Sequence, residues 1–225
     1  MLNIASLLLG LCAWLFAMLA ITTKRKFLAH RNCLNSFSLC AISLVLQLFE
    51  VQRLIRLVED ILRLSRLDED FGNVRRESVD LFALASEAVS RIQPQAELAS
   101  VTLELTGQTT LISGFPAQLS AIVTNLCSNA VKYNRPGGRV TVSVQEADTQ
   151  VVLTVADTGI GIPPEHQPRI FERFYRVDKS HSKAVGGTGL GLSIVKHAAL
   201  IHNAEISLNS VPEQGTTVTI RFPKE

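Results

Sequence analysis

The run Gly187-Thr188-Gly189-Leu190-Gly191-Leu192-Ser193-Ile194-Val195-Lys196 constrains this chain more than any other stretch. Glycines stand at alternate positions, and an apolar helical pattern starts at once. Glycine tolerates left-handed backbone angles and lets a ligand come close to the main chain. A helix that begins there presents unpaired N–H groups and the positive end of its dipole. Together they form a cradle for phosphate groups, with a flexible turn as the plain alternative.

A second glycine motif, Asp157-Thr158-Gly159-Ile160-Gly161-Ile162-Pro163, follows an alternating apolar run over 151–155 that reads as a strand. A carboxylate at the end of a buried strand is costly unless it is paired or bound to a ligand. Asp157 is therefore read as the acceptor of a hydrogen bond from a base amino group, against the simpler Asx turn. A third motif, Asn125-Leu126-Cys127-Ser128-Asn129-Ala130-Val131-Lys132-Tyr133, lies in a run of helical period from Pro116. Leu119, Ile122, Val123, Leu126, Ala130 and Val131 line one face of it. Asn125 and Asn129, four apart, also share a face. An amide oxygen there completes the shell of a Mg²⁺ that keeps waters and takes phosphate oxygens. Lys132 supplies a point charge for phosphate, and Tyr133 is placed to cover a base. A helix with polar residues at its solvent edge is the alternative.

In chain order, from Asn125 to Lys196, the three motifs resemble the N, G1 and G2 boxes of the sensor histidine kinases. Between the last two, Phe171-Glu172-Arg173-Phe174-Tyr175-Arg176-Val177 resembles that family's F box. The resemblance covers residues 50–225, and no Gly-Lys-Ser/Thr loop of the P-loop kind occurs. It implies a protein kinase that binds Mg²⁺-ATP and passes the phosphoryl group to a histidine, then to an aspartate in the receiver domain of a response regulator. It also implies the contacting residues: Asn125, Asn129, Lys132, Tyr133, Asp157, Gly159, Gly161, Ile162, Arg176, Gly187, Thr188, Gly189, Leu190, Gly191, Leu192 and Thr217, with Asn129 on the metal.

The balance of 22 Lys and Arg against 20 Asp and Glu argues against a nucleic-acid footprint. Cys12, Cys33, Cys40 and Cys127 show neither CxxC pairing nor zinc spacing, so reduced thiols are expected. The five histidines, His30, His166, His181, His197 and His202, are scattered and make poor metal ligands.

Leu2 to Ile21 carry no charge and span roughly 30 Å as a helix, enough for a bilayer. Lys24-Arg25-Lys26 follow, which places that flank in the cytoplasm. A single-pass anchor in the inner membrane is expected, with a cleaved signal peptide as the competing reading. The apolar stretch Ser36 to Phe49 is read as a buried or interfacial helix rather than a second span, which would put the basic loop outside.

From Leu44 the apolar residues Leu44, Leu48, Val51, Ile55, Val58 and Leu62 step by four and three, the signature of a helical seam. The segment 57–67 resembles the second helix of the kinase dimerisation domain, which implies a homodimer or a heterodimer with a kinase. The first helix of that domain, with its acceptor histidine, is deleted, degenerate or frame-shifted. Aligned on Phe27, the acceptor position falls at Cys33, and His30 lacks a neighbouring carboxylate. The alternative to a complete kinase is thus an ATP-binding truncated relative that modulates other kinases by dimerising with them.

The expected organisation is a transmembrane helix at 1–22, a degenerate dimerisation segment at 23–70 and an ATPase domain at 71–225. The last is expected as an α+β two-layer sandwich, one mixed sheet with helices on one face. A helix is expected over 79–98, an antiparallel pair at 101–105 and 110–112, strands at 140–145 and 151–155, a helix over 190–201, and strands at 206–208 and 216–222. Two departures from the family pattern stand out. Gly114-Phe115 replaces Gly-Asp before the N-box helix, and His202-Asn203-Ala204 replaces His-Gly-Gly.

Overall fold

The computed structural model describes residues 75–177 and 188–224, and with them Ser43, Leu44, Val45, Gln47, Leu48, Val51 and Ile55. The chain divides into two units, Met1–Ile55 and Arg56–Glu225. In the first, the described residues are helical, and Leu44, Leu48, Val51 and Ile55 are each about half exposed. The expected membrane span, His30, Cys33 and the segment 57–67 lie outside the described residues. Among the described residues no helix is long and apolar enough to cross a membrane.

The second unit begins with β1 (Glu77–Asp80) and α1 (Leu81–Leu98), followed by β2 (Thr102–Gly107) and β3 (Leu111–Gly114). The helix expected from residue 79 starts later because Asp80 caps it: its carboxylate accepts from the N–H groups of Phe82 at 3.0 Å and Ala83 at 3.2 Å. Val79 instead pairs with Ile112, because β1 and β3 form an antiparallel ribbon of their own. The antiparallel pair expected between β2 and β3 does not form. β2 runs parallel to β4 (Arg139–Glu146), Leu103 beside Val140 and Leu105 beside Val142. Two adjacent strands with a short link suggest a hairpin, but β2 packs its part-buried Leu103 and Leu105 against the core beside β4 and α1 instead.

α2 (Pro116–Lys132) precedes β4. After β4 come β5 (Gln150–Asp157), a 3-10 turn at Gln167–Arg169, α3 (Gly191–Ile201), β6 (Glu205–Val211) and β7 (Gly215–Pro223). The main sheet has the order β2-β4-β5-β7-β6, and all its pairs but β2–β4 are antiparallel. Strict alternation sorts its residues. Val140, Val142, Val144, Val151, Leu153, Val155, Val218, Ile220 and Phe222 are buried with the apolar faces of α1, α2 and α3. Thr141, Ser143, Thr154, Thr217 and Thr219 lie on the opposite face, part-exposed. The expected two-layer sandwich with a mixed sheet is therefore the fold of this unit, with the two-stranded ribbon as an addition.

The two departures from the family pattern meet at one place. Phe115 caps α2 with its backbone alone among the described residues. Its N–H donates to His202 Nε2 at 3.0 Å, while His202 Nδ1 lies 2.6 Å from the Ala198 carbonyl. That pattern makes Nδ1 the protonated nitrogen of a neutral ring. Burial pushes the His202 pKa down, and the nearby Arg76 pushes the same way. Asn203 then takes φ +52°, an angle that glycine adopts freely and asparagine tolerates. On α2, burial raises the Cys127 thiol to about 12, so it stays a thiol.

Candidate functional site

β5 ends on Asp157, in register with Val140 on one side and Thr216 on the other. Its carboxylate is held from two directions: Oδ1 accepts from the N–H of Gly159 at 2.8 Å and of Thr216 at 3.2 Å. Burial raises its pKa, and these two N–H groups pull against that rise. The group is therefore a partly desolvated acid in a fixed orientation.

The loop after it is wedged between two backbones. A Cβ on Gly159 would come within 2.3 Å of the Tyr133 carbonyl oxygen, and one on Gly161 within 2.1 Å of the Val211 carbonyl oxygen. Gly161 also sits at φ +67°, so both space and angle require glycine there. Ile160 N–H donates to the Tyr133 carbonyl and Glu213 N–H to the Ile160 carbonyl. An ion pair between Arg135 and Glu213 spans the outside of this loop.

Behind the loop lies a set of polar residues that the sequence reading missed. Ile162 N–H donates to Ser210 Oγ at 2.8 Å, and Ser210 Oγ lies 2.7 Å from Thr216 Oγ1. Gln167 Nε2 donates to the carbonyls of Ile162 and Ser210 at 2.8 and 2.9 Å. The alternation of β6, with Ile206 and Leu208 on the core face, does put Ser210 inward, so a polar residue in the last inward position was the available signal.

Thr217 does not belong with these residues. It pairs with Ala156, one step from the Thr216–Asp157 pair, and therefore lies on the opposite face of the sheet. Thr216, not Thr217, is the residue beside Asp157. Two consecutive threonines differ only by register, and the sequence motif did not resolve which one faced inward.

Asn125, Asn129, Lys132 and Tyr133 lie at the C-terminal end of α2. Asn125 Nδ2 donates to the Ala121 carbonyl at 2.8 Å, and its Oδ1 faces the start of α3. A Cβ on Gly191 would lie 2.9 Å from that oxygen and 3.7 Å from Asn129 Nδ2. The two amides thus meet the first residue of α3. Leu190 caps α3 with no side-chain hydrogen bond among the described residues, so the amide groups of its first turn are available to an anion. Lys132 Nζ sits 5.2 Å from the Tyr133 ring centre. Burial raises the Tyr133 pKa, and the charge of Arg176 lowers it.

The F-box turn leans on the glycine run that leads into α3. Phe174 N–H donates to the Gly189 carbonyl at 2.9 Å, and a Cβ on Gly189 would come within 2.9 Å of the Phe174 backbone. Thr188 Oγ1 accepts from Leu190 N–H at 3.4 Å. Tyr175 is fixed by His166 Nδ1 at 2.7 Å and by Arg169, whose guanidinium sits 4.5 Å from the ring centre. Next to it, Arg176 Nε and Nη2 are buried without a hydrogen-bond partner among the described residues. Gly187 lies outside the described residues. Thus Asn125, Asn129, Leu190, Gly191 and Leu192 gather at the start of α3. Tyr133, Asp157, Gly159, Gly161 and Ile162 gather at the end of β5.

This arrangement fits a nucleotide. A fixed carboxylate suits a base amino group, an open helix N-terminus suits phosphates, and a guanidinium with two buried unpartnered nitrogens suits an anion. Among the described residues no group of three His, Cys, Asp or Glu side chains gathers into a metal cage. The amides of Asn125 and Asn129, which meet at the start of α3, would instead suit a Mg²⁺ that takes most of its ligands from phosphate and water.

Comparison with known proteins agrees with this reading of the fold. The family of histidine kinase-, DNA gyrase B- and HSP90-like ATPases matches residues 114–225. The sensor protein kinase WalK of Staphylococcus epidermidis is 36% identical over 178 residues, covering 78% of this chain and 29% of WalK. The mycobacterial sensor histidine kinase MprB is similar in structure, with a TM-score of 0.58 and 30% identity over 66% of this chain and 97% of that one. Full-length ShkA in complex with AMPPNP gives a TM-score of 0.67 at 27% identity, over 81% of this chain and 39% of that one. This chain therefore spans less than a third of the length of WalK.

Proposed function

Because this chain belongs to the sensor histidine kinase family, we propose that it binds Mg²⁺-ATP and donates the γ-phosphoryl group to a histidine within a two-component signalling system. The observation that carries this reading is the Asp157 carboxylate, fixed through Oδ1 by Gly159 and Thr216, which leaves Oδ2 to accept from the adenine amino group. Tyr133 covers the base. The amides of α3 from Gly191, with Thr188, Gly189 and Gly187 before them, take the phosphates, assisted by Lys132 and Arg176.

Asn129, with Asn125 in support, would hold Mg²⁺, which when bound supplies neutralising charge to the phosphates. The protein's own contribution is positioning and charge, as phosphoryl transfer requires little covalent help. Arg176 compensates phosphate charge from the F-box side, and the α3 N-terminus does so from the other.

Leu2–Ile21 anchor the chain in the inner membrane, with the ATPase domain of 71–225 in the cytoplasm. The half-exposed Leu44, Leu48, Val51 and Ile55 support a helical seam within 23–70, used for pairing with a second kinase chain. The onward partner is the receiver domain of a response regulator.

The test is incubation of the full chain, in detergent, with γ-labelled ATP and Mg²⁺. Acid-labile, base-stable label lost on His30→Gln would establish autophosphorylation at that residue. ATP binding without label would assign the acceptor histidine to another chain. Absence of ATP binding would refute the proposal.

A further inference from the structure

Four hydrogen bonds connect the 3-10 turn after the Asp157–Pro163 motif to the base-facing carboxylate. Gln167 Nε2 donates to the Ile162 carbonyl at 2.8 Å, Ile162 N–H donates to Ser210 Oγ at 2.8 Å, Ser210 Oγ lies 2.7 Å from Thr216 Oγ1, and Thr216 N–H donates to Asp157 Oδ1 at 3.2 Å. Gln167 spends its second amide proton on the Ser210 carbonyl at 2.9 Å. Ser210 is only 9% exposed. Its hydroxyl accepts from Ile162, and its single proton goes to the Gly215 carbonyl at 3.1 Å or to Thr216 Oγ1. One buried hydroxyl thus joins three segments: the loop after β5, the end of β6 and the start of β7.

We propose that Ser210, backed by Gln167, is a positioning residue for base selectivity: it fixes the loop after β5 and Thr216 against Asp157, and so fixes the direction in which that carboxylate presents its second oxygen. The inference rests on Asp157 reading the base. Adenine offers an amino group at the position where guanine offers a carbonyl. A carboxylate locked in orientation accepts from the first and repels the second. A carboxylate free to turn, or to take up a proton, can accommodate either. The Thr216 N–H bond opposes that proton uptake, because it favours the ionised form.

Removing the hydroxyl as Ser210→Ala leaves Ile162 N–H without its acceptor and slackens Thr216. Gln167→Leu removes both outer bonds at a part-exposed position and spares the hydroxyl. Neither side chain touches the base in this arrangement, so a purely structural role would weaken all nucleotides together.

The experiment is calorimetry of the full chain in detergent with Mg²⁺-ATP and Mg²⁺-GTP, for the parent, Ser210→Ala, Ser210→Thr, Gln167→Leu and Asp157→Asn. The ratio of GTP Kd to ATP Kd is expected to fall about threefold to tenfold in Ser210→Ala, the size of one lost hydrogen bond. It should fall less in Gln167→Leu and recover in Ser210→Thr. Combining Ser210→Ala with Asp157→Asn should change the ratio no further than Asp157→Asn alone. Equal weakening of ATP and GTP, with the ratio unchanged in both Ser210→Ala and Gln167→Leu, would overturn the inference. An ATP Kd unchanged by Asp157→Asn would instead overturn the base-reading role of Asp157, and this inference with it.

Discussion

Asp157→Asn should weaken ATP binding and strengthen the empty fold at the same time. The asparagine oxygen can keep the Gly159 and Thr216 N–H bonds that now fall on Oδ1. Its NH₂ then occupies the Oδ2 position and points a donor at the donor of adenine. Loss of a hydrogen bond to a charged group costs about 1.5–3 kcal/mol, a drop in affinity of roughly 10- to 150-fold at about 1.4 kcal/mol per decade. Stability moves the other way. Burial raises the Asp157 pKa above the ordinary value of 3.8, so the folded protein holds this proton more tightly than the unfolded chain does. Stability contributed by this group therefore falls as pH rises from 3.8 through the raised value, and is at its lowest above that value. Asparagine carries no such deficit. The ligand-free variant should melt above the parent at pH 7, and the gap should close as pH approaches 3.8. Calorimetric titration and thermal unfolding of the same samples check both halves. An unchanged ATP Kd, or a lower melting temperature at pH 7, would refute the reasoning.

Further outcomes follow from the same geometry. Protonating His202 would cost the bond from Phe115 N–H. Since its folded pKa is lowered from 6.5, stability should be full above pH 6.5 and fall on acidification below it; denaturant titrations at pH 5 and pH 7.5 should show this in the parent and not in His202→Gln. Gly191→Ala should leave the fold as stable or more so, by up to about 1 kcal/mol from helix propensity. Its Cβ would displace the Asn125 oxygen 2.9 Å away, and Mg²⁺-ATP affinity should drop about tenfold by titration. Arg176→Met should raise the melting temperature of the ligand-free chain, because it removes two buried unpartnered nitrogens, while lowering ATP affinity about tenfold.

The parts of the fold that follow from local periodicity were legible in the sequence. Val140, Val142 and Val144, and Val151, Leu153 and Val155, alternate cleanly, and the apolar stripe of α2 fixes its inner face. Pairing partners were less accessible. β2 and β3 are neighbours in sequence, yet β2 binds β4 and β3 binds β1, a choice made by burial across the domain rather than by the link between them. The site divides the same way. Asp157, Asn125 and the glycines announce themselves because carboxylates, amides and glycines are costly or conspicuous where they stand. Ser210 and Gln167 are ordinary residues whose role exists only after β6 and the 3-10 turn are brought together. Thr216 and Thr217 look identical in sequence, and only the register with β5 separates them.

The order β2-β4-β5-β7-β6 has a consequence for biosynthesis. β5 is an interior strand, but one of its two neighbours is β7, whose residues 215–223 are translated 58 or more positions after Asp157. Until those residues have left the ribosome, Asp157 lacks its Thr216 partner, and the β5 edge stays open to strand pairing. In that interval the open β5 edge is the surface that a chaperone would need to guard.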